Sequence, residues 1–148
     1  MFCSQHHVGW FKDQIESAGF TWKHTIVWIK DSWTAGDIKA GLGKQYECII
    51  LAHKVKCLRT NDYRYTDVWQ FSRVPWQKQL HQHQKPIDLL KRCVELYTVE
   101  GDVVFDGTMG SGSTGVAALE MGRKFIGVEL EKKIYDLAKK RLDNLPLT

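Results

Sequence analysis

The stretch GDVVFDGTMGSGSTGVAALEMGRKFIGVEL, residues 101–130, decides the fold. "VVFD" is a short run of strand-forming residues, followed by a glycine-rich turn. An apolar helical segment comes next, with Ser113 or Thr114 as its expected cap and Gly122 as its stop. "FIGVE" supplies a second strand, and a last helix carries Ile134, Leu137, Ala138 and Leu142 on one face. The segment therefore alternates β-α-β-α, which is the connectivity that parallel strands require. The expected fold class is α/β.

Upstream of this stretch, Pro86 is placed to open a helix at its first position, with Ile87, Leu90, Val94 and Tyr97 on the buried side. Residues 54–80 hold no sustained period and read as long connections. "YECIILAHK" reads as a strand apolar enough to be buried on both faces. "WKHTIVWIK" is a strand rich in β-branched and aromatic residues, and "DSWTAGDIKAGLG" after it reads as a loop. At the start, Phe2 and Cys3 form the tail of a strand. A helix with Val8, Phe11, Ile15 and Ala18 on one stripe follows, closed by Gly19.

With 148 residues, 43% of them hydrophobic, the chain suffices for one core of ordinary domain size. Charged residues make up only 26% and aromatics are plentiful, which excludes a disordered chain. A formal charge of +4 tolerates a polyanionic partner without establishing one. Basic residues between Lys54 and Arg92 are interleaved with Tyr63, Tyr65, Trp69, Phe71 and Trp76. That pattern fits a nucleic-acid surface or an ordinary solvated face, and composition alone favours the second. Cys3, Cys48, Cys57 and Cys93 form no Cys-x-x-Cys pair and no secretory segment precedes them, so reduced thiols in a cytoplasmic protein are expected. Cys48 and Cys57 with His81 and His83 are too widely spaced to argue for zinc, and no metal is expected. No apolar run approaches the roughly 18 residues of a membrane span.

Gly110, Gly112 and Gly115 satisfy Gly-x-Gly-x-x-Gly, and Glu129 lies 19 residues past Gly110. On spacing alone this fits a dinucleotide fingerprint, although close backbone packing at a strand-to-helix turn needs the same glycines. Asp106 separates the readings. At a strand tip its carboxylate would face a pyrophosphate, like charge against like. S-adenosylmethionine has no phosphate; its methionyl ammonium and sulfonium suit a strand-tip Asp. An NAD-dependent oxidoreductase is accordingly disfavoured. Glu129 can accept from both ribose hydroxyls of either cofactor. The plainer alternatives are a turn cap for Asp106 and a solvated strand end for Glu129.

Preceded by "HQHQKPIDLL", the stretch resembles the C-terminal half of an amino-methylating DNA methyltransferase of the permuted β type. In that family a His-x-x-Gln-Lys-Pro segment precedes an Asp-x-x-x-Gly-Ser-Gly cofactor loop. His81, Gln84, Lys85 and Pro86 match the first element, and Asp106, Gly110, Ser111 and Gly112 match the second. Thr114 stands one place later than the family's usual Thr, and Gly107 and Thr108 replace its usual Pro-Phe. Glu129 matches the ribose-binding acid. Residues 1–30, "YECIILAHK" and "VWQFSRV" resemble further segments of the family, so essentially the whole chain is covered.

The resemblance implies a Rossmann-like S-adenosylmethionine-dependent sheet, permuted and incomplete by two N-terminal strands. Residues 1–148 would form a single partial methyltransferase domain. Within it, 1–55 would follow the catalytic loop, 56–84 would be a connection with DNA contacts, and 85–148 would be the cofactor-binding half. Cofactor contacts are implied for Lys85, Asp106, Thr108, Gly110, Ser111, Gly112, Ser113, Thr114 and Glu129. Contacts to double-stranded DNA are expected from Arg59, Arg64, Arg73 and Lys78. The implied reaction moves a methyl group to an exocyclic amine, adenine N6 ahead of cytosine N4, with no cysteine nucleophile. The family's catalytic Asp/Asn/Ser-Pro-Pro-aromatic tetrapeptide has no match here, since the only prolines are Pro75, Pro86 and Pro146. No catalytic residue is therefore assigned. The isolated chain is expected to be inactive, its missing loop and strands supplied by a separately encoded N-terminal fragment or partner subunit. The alternative is a cofactor- or DNA-binding remnant without catalysis.

Overall fold

The computed structural model describes residues 1–34, 39–55, 65–81 and 83–146. They fall into two compact units that change over between Arg73 and Val74. Arg59, Arg64, Cys57 and Tyr63 lie outside the described residues.

In the first unit, the β-branched and aromatic run Thr21–Thr34 forms β2. It pairs antiparallel with β3 (Lys44–His53), from Thr21 opposite His53 to Thr34 opposite Lys44. β1 (Phe2–Cys3) lies antiparallel on the other edge of β3, extended by reciprocal bonds between Met1 and Ile50 of 2.8 and 2.9 Å. β4 (Val68–Gln70) adds parallel to β2, giving the order β1-β3-β2-β4. Cys48, Ile49 and Ile50 are consecutive buried residues of β3, which is covered on both faces as its apolar run indicated. α1 (Val8–Ser17) half-buries Val8, Phe11 and Ile15, and Gly19 closes it with a φ of +81°.

Two expectations fail here. Residues 31–34 continue the strand instead of opening a loop. Arg73 holds this polar end, its N–H donating to Asp31 Oδ1 and its Nη2 to Ser32 Oγ at 2.7 Å. Thr34 Oγ1 also donates to Lys44 O. β4 lies in the stretch read as connection, because three residues are too few to display a period. Its Trp69 is 2% exposed and its indole donates to Thr66 O at 2.7 Å, so this aromatic belongs to the core and not to a binding surface. Trp28 is equally buried, donating to Phe71 O at 2.8 Å. Beside it the buried Lys30 pairs with Glu47 at 2.8 Å, an arrangement in which removing either partner strands a charge.

In the second unit, α2 (Ile87–Tyr97) begins after Pro86, which is its extended N-cap and not its first helical residue. The buried face is Leu89, Leu90, Val94 and Leu96, while Ile87 and Tyr97 are only half-buried. β5 (Val103–Asp106) and β6 (Lys124–Gly127) pair in parallel, Val103 opposite Lys124 through Asp106 opposite Gly127. α3 (Ser113–Glu120) is the crossover between them, ended by Gly122 at a φ of +74°. β6 stops at Gly127, short of the expected Glu129, because Val128 bonds the turn after β5: its N–H donates to Asp106 O and its carbonyl accepts from Met109 N–H. α4 (Lys132–Asp143) follows, with Ala138 fully buried. Lys91 on α2 pairs with Glu120 on α3 at 2.8 Å.

The β5–β6 sheet is open. Val103, Phe105, Ile126 and Val128 alternate onto one side and are each more than half exposed. No strand pairs with the other edge of β5 among the described residues. No described helix is long and apolar enough to cross a membrane.

Leu89 is 0% exposed, so Leu89→Ala should destabilise the fold by about 2–5 kcal/mol. Leu130→Ala, at a 99% exposed position, should stay within about 0.5 kcal/mol of the parent. Chemical denaturation of the two variants checks the contrast.

Candidate functional site

Parallel strands with a right-handed crossover end on the same side, and ligands of α/β sheets bind outside those carboxyl ends. β5 ends there at Asp106, and Glu129 follows two residues beyond β6. The turn between β5 and α3 is pinned by two backbone bonds of 2.9 Å, from Met109 N–H to Val128 O and from Gly112 N–H to Met109 O. Gly110 and Gly112 have φ of +52° and +74°, which side-chain-bearing residues rarely adopt. Gly112 itself occupies the N-cap of α3 with no side-chain cap, so neither Ser113 nor Thr114 caps the helix as expected. A left-handed glycine makes the sharp entry that a capping hydroxyl would otherwise support.

Asp106 Oδ1 accepts from Thr108 N–H at 3.1 Å, which makes Asp106 the cap of its own turn. One carboxylate oxygen is thereby engaged. Glu129 is held at both oxygens: Oε2 accepts from Gly110 N–H and Oε1 from Glu131 N–H, each at 3.0 Å. The Glu131 amide chiefly, with the Gly110 and Leu130 amides and the nearby His81, holds this carboxyl below the usual carboxylate range. Each oxygen keeps a further lone pair for an incoming hydroxyl.

His81 stands over this turn. Its Nδ1 lies 3.7 Å from where a Cβ on Gly110 would sit, and it accepts from His83 N–H at 3.3 Å. Gln84 Oε1 accepts from Leu80 N–H at 2.8 Å, so the segment before α2 folds on its own polar groups and presents His81 to the loop. His81 was absent from the expected cofactor set. Its place in the His-x-x-Gln-Lys-Pro match was the available signal, but its adjacency to Gly110 is a tertiary fact.

Ser111 and Ser113 are 3% and 5% exposed, with their hydroxyls 3.4 Å apart. Arg141 of α4 donates from Nη1 to Ser111 O at 3.0 Å and to Ser113 Oγ at 3.1 Å. Both side chains thus point into the fold, and a ligand role for either falls to its backbone. The amides of Ser113, Thr114 and Gly115 open α3 without a helical carbonyl to bond, a favourable end for a ligand's negative or lone-pair groups. Thr114 is half-buried, Thr108 is exposed, and Lys85 is half-buried just before α2. Of the expected DNA contacts, Arg73 is half-buried and donates to Asp31 Oδ1 from its backbone N–H and to Ser32 Oγ from Nη2. Lys78 is exposed on a one-turn 3-10 helix, Trp76–Lys78. Among the described residues no group of three or more His, Cys, Asp or Glu side chains could hold a metal.

The N6_N4_Mtase family model, described as DNA methylase, matches residues 1–140. The chain is similar to the type II methyltransferase M2.DpnII of Streptococcus pneumoniae, 48% identical over 63 residues that make up 43% of this chain and 24% of that protein. It is 40% identical over 80 residues to the DNA adenine methyltransferase YhdJ of Escherichia coli strain K12, covering 52% of this chain and 27% of that one. The crystal structure of an M1.HpyAVI–SAM complex superposes with a TM-score of 0.81 at 32% identity, over 97% of this chain and 72% of that one. The matches to M2.DpnII and YhdJ therefore span only 24% and 27% of those proteins. The fold is the α/β Rossmann-like fold of S-adenosylmethionine-dependent methyltransferases, with permuted strand order and an open sheet.

Glu129→Gln turns an amide in among backbone donors and can satisfy only one of them. Amide hydrogen exchange should then quicken, on the order of tenfold, at whichever of Gly110 and Glu131 loses its acceptor, with α2 unaffected.

Proposed function

The chain belongs to the DNA methylase family, and we propose that it binds S-adenosylmethionine and takes part in transferring its methyl group to an exocyclic amine of a DNA base. The observation that carries this reading is Glu129, ionised and held at both oxygens by backbone amides beside the strand-tip Asp106. Its remaining lone pairs suit a pair of vicinal ribose hydroxyls. Asp106 Oδ2 suits the methionyl ammonium, and the amides opening α3 suit the methionyl carboxylate. Arg141 bonds the inner side of the glycine turn and not its opening, and a pyrophosphate there would meet the like charges of Asp106 and Glu129. When bound, S-adenosylmethionine supplies a methyl group on a sulfonium. Lys85 and Thr108 complete the proposed cofactor set, and Lys78 the DNA-facing one.

Adenine N6 is the proposed acceptor ahead of cytosine N4, supported by the naming of YhdJ as an adenine methyltransferase. Relatives named as type II methyltransferases fit a restriction-modification setting, and a cytoplasmic location belongs to the same proposal.

These 148 residues contain no Asp-Pro-Pro-Tyr-like tetrapeptide to hold and polarise the target amine. Alignment of the acceptor supplies much of the rate enhancement. We infer that the loop is supplied by further polypeptide, which also adds a strand to the open edge of β5 and covers Val103, Phe105, Ile126 and Val128. Parallel sheets are ordinarily buried on both faces, and an open apolar edge invites such pairing.

Titration should show S-adenosylmethionine or S-adenosylhomocysteine binding well above NAD; equal or stronger NAD binding would refute the cofactor reading. Asp106→Ala should weaken binding by about 1–3 kcal/mol. Because Glu129 titrates below its ordinary value of 4.5, its contribution to binding is present above that pH and is lost as pH falls through the lowered value. S-adenosylhomocysteine affinity measured across that range should show no Glu129-linked loss above 4.5. Methyl transfer from labelled cofactor to unmethylated DNA should require an added N-terminal fragment carrying the loop. Transfer by the chain alone at the rate of an intact enzyme would overturn the division of labour. Failure of rescue together with weak cofactor binding would identify a remnant.

A further inference from the structure

We propose that Arg141 is a positioning residue for the cofactor loop, holding the Ser111–Gly112 peptide in the one orientation that keeps the turn open to its ligand. The proposal rests on the cofactor reading above and adds a residue that no motif in the loop reveals.

The geometry is specific. A single guanidinium nitrogen, Nη1, bonds the carbonyl of Ser111 at 3.0 Å and the hydroxyl of Ser113 at 3.1 Å, so it straddles Gly112. A trans peptide is planar, with its C=O and N–H pointing in opposite directions. The Ser111 carbonyl goes to Arg141 and the Gly112 N–H goes to Met109 O at 2.9 Å, so this peptide unit is fixed at both ends. Gly112, at a φ of +74°, is a position where a peptide flip is sterically easy. A flip would release both bonds and reorient the Ser111 carbonyl. It would also disturb the turn just past Gly110, whose N–H orients Glu129. The half-buried guanidinium is pulled below its ordinary proton affinity by desolvation, yet an arginine stays charged at any working pH. A charge-assisted donor is therefore always available to the loop.

Docking of α4 does not depend on the guanidinium. A Cβ built on Gly112 would lie 3.3 Å from Ala138 Cβ and 3.5 Å from Leu142, and one on Gly115 would lie 2.9 Å from Leu142. These apolar side chains already seat the helix against the loop. A residue that keeps the stem of Arg141 and loses its head should leave that packing in place while freeing the peptide.

The test uses the full 148-residue chain with Arg141→Met, Arg141→Lys and Ser113→Ala, and S-adenosylhomocysteine as the titrant. Calorimetry should show Arg141→Met weakening binding by about tenfold or more, with Arg141→Lys restored to within about threefold of the parent because one ammonium donor still reaches a carbonyl. Ser113→Ala removes one acceptor without touching α4 and should cost about threefold. Amide exchange at Ser111–Thr114 in the ligand-free protein should quicken in Arg141→Met, a readout that a general loss of stability would not confine to the loop. Parent-like affinity in Arg141→Met, or equal losses in the Met and Lys variants, would overturn the proposal. Should Arg141→Met not fold, unchanged affinity in Ser113→Ala would overturn it. A parent chain that binds no S-adenosylhomocysteine would refute the cofactor reading itself. The loop exchange then still decides the clamp, and unaltered exchange in Arg141→Met would reject it.

Discussion

The bond from Gly110 N–H to Glu129 Oε2, 3.0 Å long, ties the turn after β5 to the chain leaving β6. It works only because Gly110 is left-handed, at a φ of +52°, and because Glu131 N–H holds the second oxygen of the same carboxylate. A carboxylate with both oxygens on backbone donors is fixed in direction and kept ionised, yet retains acceptor capacity. The strand ends, the glycine turn and the segment carrying His81 converge on it. The candidate site is preorganised around an anion whose position backbone geometry sets.

Behind that bond, the second unit reads as a support for one turn. α4 lays Ala138, Arg141 and Leu142 against the loop from inside, and α3 leaves its first amides at the opening. Arg123 fastens the end of α2 to the turn before β6, donating to Thr98 Oγ1 at 3.0 Å and to Thr98 O at 2.6 Å. The first unit is stabilised differently. Its long β2 is fixed by indole donors, by the buried Lys30–Glu47 pair and by Arg73 at the polar end. Trp69 and Arg73, from the basic and aromatic stretch, are there bonded into the fold.

The open β5–β6 sheet is the feature least consistent with self-sufficiency. Two parallel strands with Phe105 at 66% exposure and Val103 at 54% leave apolar surface where such sheets are normally covered. The absence of an Asp-Pro-Pro-Tyr-like tetrapeptide points the same way from an independent direction. The proposal that further polypeptide supplies a strand and the catalytic loop accounts for both observations together.

Local pattern determined a good deal. The α/β class, the crossover helix between "VVFD" and "FIGVE", the stops at Gly19 and Gly122 and the pair Asp106 and Glu129 all follow from period, glycine placement and strand-end position, which are short-range properties. The three-residue β4, the extension of β2 through Thr34 and the buried Leu89 and Leu96 did not, because pairing partners decide them: Trp69 and Arg73 act over some forty residues of chain. The helix cap passed to Gly112, where a Cβ would lie 3.3 Å from Ala138 Cβ, a closeness set by the distant α4. Composition alone could not assign Arg141 or His81, whose roles rest on contacts with a loop 30 residues away in sequence on one side and on the far side of α2 on the other. Sequence by itself determined which chemistry the turn can offer. Only the tertiary structure decided which atoms face the opening, because orientation of a peptide or a carboxylate depends on donors brought from distant segments.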